Sequence, residues 1–153
     1  MLSLHALWVT LILLIPSHIL ALSVGMTIQG RTISFRRLAA AGALLGAALG
    51  ILRAVAFGLH TPLSALSLVL AVQYLSRGRW SLSVLAGLVV QVSTVITEAL
   101  LVVPILSATH IPLQDALNST GLTILFGYVS NLPVCGLALW GWWRRRSRQG
   151  GAS

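Results

Sequence analysis

Lysine is absent from this chain, and acids are nearly so: Glu98 and Asp115 stand against ten arginines. Charged residues make up 8% of the 153 positions, where soluble domains carry about 25%. Such a chain cannot cover its own surface with polar groups. A single cysteine, Cys135, excludes an internal disulfide. It lies in an apolar segment, where a thiol packs as a small apolar group. The histidines, His5, His18, His60 and His110, are scattered without metal-ligand spacing. No Ser/His/Asp or Cys/His arrangement falls at one depth, and Asp115 lies in a loop away from Glu98. The expectation is a protein without catalytic residues, metal or cofactor.

What is present is apolar. Hydrophobic residues reach 57% and the mean hydropathy is +0.94. The runs are too long for a globular core, so the membrane class follows before any motif is read. The formal charge of +8 could suggest nucleic acid. The arginines, however, fall between or just after apolar runs, where a membrane protein places them to fix its orientation. The N-terminal stretch "MLSLHALWVTLILLIPSHILALS" lacks the positive region of a signal peptide and is broken by Pro16, Ser17 and His18. It reads as a retained first span.

A spanning helix needs about 20 mostly apolar residues. The candidates are 4–23, 38–58, 63–75, 82–106 and 121–143, the third being short, with a flexible tail at 149–153. The arginines test the count. Arg31, Arg36 and Arg37 lie between the first two spans, Arg77 and Arg79 between the third and fourth, and Arg144, Arg145, Arg146 and Arg148 after the fifth. With five spans these clusters share one side, and the opposite loops contain no arginine. That pattern predicts an all-α, polytopic five-helix bundle with its N-terminus out and C-terminus in, in a cell membrane. Trp80, Trp140, Trp142 and Trp143 stand beside the inner arginines as interfacial anchors. Arg36, Arg37, Arg144, Arg145 and Arg146 are placed to meet anionic headgroups.

Several constellations lie inside the spans. Gly42, Gly46, Gly50, Ala54 and Gly58 repeat every fourth residue in the second span. Small residues at that spacing let another backbone approach closely; the partner is a helix of this chain or of a second copy in a homodimer. Arg53 and Glu98 are the charges placed within spans. Each lies about 7–10 Å below the outer face, counting about 1.5 Å per residue from the helix end. Equal depth and opposite sign predict a structural pair or the polar floor of a pocket open to the outside; the third reading has Arg53 snorkelling to the outer headgroups and Glu98 protonated, with no functional role. His60 stands above them in the break "LHTP", where it caps a helix end or titrates. In "FGYVSNLPVCG", Pro133 predicts a kink, and Asn131 either sits at it or bonds across to another helix. "QDALNSTGL" predicts a short interfacial helix over the outer mouth of the bundle.

The arginine late in the second span, "FGLHTPLS", "TEALLVVP" and "LFGYVSNLP" together resemble the five-helix N-terminal membrane domain of certain Firmicutes sensor histidine kinases, those with a GHKL-type ATPase domain. Arg53, Phe57, Gly58, His60, Thr61, Glu98, Pro104 and Pro133 match that pattern, and the likeness covers nearly the whole chain. It implies a sensor or interaction module in the lipid bilayer, with a histidine kinase or another membrane protein as its partner. The kinase part is not present in these residues, so kinase activity is not carried over. The competing reading is a substrate-binding subunit of a multisubunit transporter; those usually have six helices. A purely structural assembly protein is the third. For the topology, a cysteine placed at Ser147 is expected to resist a membrane-impermeant thiol reagent added from outside. Labelling from that side overturns the orientation.

Overall fold

The computed structural model describes residues 7–55 and 60–150; side chains at 53–55, 60, 61, 113, 117, 145, 146 and 148–150 lie outside that description. The described chain is helical throughout and contains no strand. Three helices are long and apolar enough to cross a membrane: α1 (Val9–Ile28), α2 (Phe35–Val55, of which Phe35–Leu52 meets that test) and α4 (Trp80–Thr109). Between them, α3 (His60–Ser76) is a shorter apolar helix. A six-residue helix, α5 (Leu113–Asn118), follows α4. Then α6 (Thr120–Ser130) and α7 (Leu132–Gly150) meet at a bend of 47°, and together they make a fourth membrane-length element. The segment expected as one span over 121–143 is therefore two helices. Pro133 explains it, because a proline inside a helix removes one hydrogen bond and clashes with the carbonyl four residues before it.

The five prolines divide by position. Pro62 lies in the first turn of α3 and Pro112 caps α5, where a missing N–H costs nothing. Pro16, Pro104 and Pro133 fall within apolar helices. At the first two the helix widens instead of breaking: α1 runs as a π-helix over Val9–Leu14, and α4 does so over Glu98–Val102. Such π turns absorb a local mismatch in the ladder while keeping the chain helical.

Helix α1 is the hub, touching α2, α3, α4 and α7. It approaches α2 at the glycine row. A Cβ on Gly46 would lie 2.7 Å from the Ile15 Cα, and one on Gly42 would lie 2.8 Å from the Ile19 nitrogen. Gly50 faces the Thr10 side chain. These three positions are thus taken up within the chain; Ala54 and Gly58 lie outside the description. On other faces of α1, Gly25 meets Val72 of α3, and Thr27 meets Gly141 of α7.

The core occupies the half of the bundle nearer the arginine loops. Leu22, Met26, Val72 and Val134 are completely or almost completely buried there, packed with Leu38, Ala86 and Ala138. A chain of amides and hydroxyls closes this end. Gln29 Nε2 donates to the Arg79 carbonyl at 3.0 Å and to Ser83 Oγ at 2.7 Å. Ser83 donates onward to Gln73 Oε1 at 2.8 Å, and Gln73 Nε2 donates to the Gly78 carbonyl at 3.0 Å. The Arg77–Arg79 turn, in which Arg77 adopts a left-handed φ of 49°, is held by that clasp.

Replacing Gly46 by alanine forces a methyl group onto the Ile15 backbone, and overpacking of this kind costs about 1–3 kcal/mol. Gly136 in α7 has open space around it. Its replacement by alanine is expected to be neutral or to stabilise by up to about 1 kcal/mol through helix propensity. Thermal unfolding of the two variants in lipid nanodiscs compares them, and equal behaviour would show that α1 and α2 do not approach as closely as described.

Candidate functional site

Beyond the core, towards the opposite end of the bundle, the helices enclose a cavity of about 490 Å³. Ala21, Leu68 and Val90 belong both to the core and to the cavity lining, so the top of one is the floor of the other. Leu13, Leu14 and Val102 line its apolar part, and Ala116 of α5 lies across it. Thr123 ties α5 in place by donating to the Ala116 carbonyl at 3.1 Å.

The polar lining sits beside the three prolines that fall within apolar helices. Ser17 and His18 follow Pro16, Glu98 begins the π turn before Pro104, and Ser130 and Asn131 precede Pro133. Distorted backbone and polar side chains therefore converge on one space. Pro16 has no N–H to offer the Ile12 carbonyl; the Tyr128 hydroxyl of α6 donates to that carbonyl instead. Membrane-length helices tolerate proline when a neighbour satisfies the freed group in this way.

Ser17 is the exception to full satisfaction. Its side chain is only 9% exposed, and Oγ has no hydrogen-bond partner. A buried hydroxyl without a partner costs about 1–3 kcal/mol. His18 beside it is buried. Its Nδ1 lies 2.7 Å from the Leu14 carbonyl. A carbonyl can only accept, so Nδ1 carries the proton. Nε2 then accepts from the Ser64 hydroxyl over 3.4 Å, a weak contact at the edge of the cavity.

Along α4, Gln91, Thr94 and Glu98 are spaced by three and four residues and share one face. All three line the cavity. Glu98 is otherwise exposed, and among the described residues it makes no hydrogen bond or ion pair. Asn131 caps α6 at the bend, and its Nδ2 donates to the Gly127 carbonyl of its own helix at 2.7 Å. Its donor therefore goes to α6 and not to a neighbouring helix.

The side chains of Arg53 and His60 lie outside the description, as does residue 58, so the expected Arg53–Glu98 pair is neither seen nor excluded. The sequence places the end of the first span at residue 23. In fact α1 runs on to Ile28, which puts His18 near its middle, at the cavity. Sequence reading also passed over Ser17, Gln91, Thr94 and Ser130. The signals were present: a Ser-His pair following a proline, and a polar stripe at helical spacing leading to Glu98.

At the arginine end, Arg36, Arg37 and Arg144 are exposed, and the Arg144 guanidinium lies 5.2 Å from the centre of the Trp140 ring. That is a cation–π geometry. Arg145 and Arg146 have no described side chains. Among the described residues no cluster of His, Cys, Asp or Glu could hold a metal ion. Comparison with protein families, curated proteins and solved structures finds no match to this chain.

Replacing Ser17 by alanine removes an unsatisfied polar atom. It is expected to leave the empty protein as stable as before or to stabilise it by about 1 kcal/mol. Replacing Tyr128 by phenylalanine strips the Ile12 carbonyl of its donor and is expected to cost about 1 kcal/mol or more. Thermal unfolding of both variants reads the contrast; a marked loss of stability in Ser17→Ala means that its hydroxyl is bonded after all.

Proposed function

We propose that this chain is an integral membrane sensor or interaction module without catalytic activity of its own. It binds a small amphiphilic ligand in the cavity and passes the signal to a membrane partner, such as a histidine kinase. The observation that carries the reading is the cavity, where a stripe of polar side chains, Gln91, Thr94 and Glu98, lines open space among helices that are otherwise apolar. Ligand pockets commonly combine an apolar wall with a few convergent polar groups.

The topology that goes with this reading has five crossings: α1, α2, the short α3, α4, and α6 with α7 as one bent span. The N-terminus is outside, the C-terminus inside, and the membrane is a bacterial inner membrane. The grouping of the arginine loops supports it. The Gln29 bond to the Arg79 carbonyl joins the loop after α1 to the loop after α3. Contact of Gly141 with Thr27 brings the basic part of α7 to the same end. A single basic end is what the positive-inside rule requires of the cytoplasmic face. The cavity then opens in the outer half, with Glu98 at its edge.

Native mass spectrometry of the protein released from its own membranes tests the binding role. A copurifying small molecule is expected, and it should be lost from a Thr94→Phe variant whose new ring occupies the cavity. A protein that arrives empty, with an unfolding temperature the same as that of Thr94→Phe, removes the basis for a ligand.

A further inference from the structure

The cavity's hydroxyl and amide groups are unevenly spent. Thr94 Oγ1 donates its proton to the Val90 carbonyl at 3.0 Å, and Ser130 Oγ donates to the Phe126 carbonyl at 2.8 Å. Each is left with lone pairs alone to offer a ligand. Asn131 commits one N–H of its amide to Gly127 and keeps the other N–H and Oδ1. His18 holds its proton on Leu14, so Nε2 can only accept. Glu98 adds a carboxylate that has no cation beside it among the described residues. On the donor side stand the second Asn131 N–H and the Gln91 amide, which makes no hydrogen bond among the described residues; the Ser17 oxygen is buried out of reach. Acceptors outnumber donors in this lining, and a carboxyl group stands among them.

We propose, building on the binding role given to the cavity above, that its ligand is a cationic amphiphile: an apolar chain ending in a primary ammonium group. The chain lies against Leu13, Leu14 and Leu68. The ammonium supplies three N–H donors to a wall that has acceptors to spare, and Glu98 balances its charge. Pairing is what makes an ionised group tolerable within a membrane. A carboxylate or phosphate head meets the opposite situation, since it brings further acceptors and a like charge to Glu98. An alcohol head satisfies one or two acceptors and gains nothing from the carboxylate.

Three probes of equal chain length separate these cases: dodecylamine, dodecanol and dodecanoate, added to the full chain in zwitterionic lipid nanodiscs and read by thermal unfolding and by calorimetric binding. Dodecylamine is expected to raise the unfolding temperature most and dodecanoate not at all. Glu98→Gln should weaken dodecylamine about tenfold or more, as loss of a charge-assisted hydrogen bond does, and leave dodecanol unchanged. If Glu98→Gln does not fold, Glu98→Asp keeps the charge at a shorter reach and should still bind the amine, less tightly than wild type. Dodecylamine binding that is indifferent to Glu98→Gln, or dodecanoate bound as well as the amine, overturns the assignment. Should dodecanol or dodecanoate bind best, the cavity keeps its binding role and only the ammonium class falls. Should none of the three bind, the binding role falls with it.

Discussion

Backbone carbonyls in an apolar helix must find a donor, and prolines withhold one. This constraint shapes most of the molecule. Pro16, Pro104 and Pro133 each sit inside an apolar helix, and each forces a different accommodation: a π turn and a tyrosine from another helix, a π turn alone, and a bend of 47°. Straight helices would pack along their whole length. Here the two π turns and the bend lie around the same space, and that space is the cavity. Pro62 and Pro112, at helix beginnings, leave no such mark.

The result is a bundle with two unlike halves. Towards the arginine loops the packing is dry, with Leu22, Val72 and Val134 fully buried and the glutamine–serine clasp over them. Towards the other end lie the polar lining and the lone Ser17 hydroxyl. The two halves share Ala21, Leu68 and Val90. Native interiors are packed close to crystal density, so an open space of about 490 Å³ is a departure that packing energy opposes. Close contacts surround it: the clasp fixes α3 against α4, two of the helices that line it, while glycines 42 and 46 hold α2 against α1 away from the lining.

The sequence made the helical class legible, because long apolar runs punctuated by arginine have few other solutions. Apolar helix positions were also readable to within a few residues, apart from the bend at Asn131 and the extension of α1 to Ile28. The cavity was not readable. Its lining comes from five helices, and no spacing along the chain states which faces of separate helices will meet. Glu98 was found because a charge in an apolar run is conspicuous. Ser17, Thr94 and Ser130 were not, since a lone hydroxyl in a membrane helix commonly bonds its own backbone four residues before. Thr94 and Ser130 do so. Ser17 does not, and only the folded chain reveals it. The clasp was hidden for a related reason: Gln29 and Ser83 lie 54 residues apart.

The clasp has one more consequence. It is built from amides, hydroxyls and backbone carbonyls, and the charges around it are guanidiniums, which stay protonated at any pH a cell meets. The described histidines and carboxylates, His18, His110, Glu98 and Asp115, all belong to the cavity half or to the loop above it. Among the described residues the two ends of the bundle thus differ in kind: guanidiniums at one, imidazoles and carboxyl groups at the other.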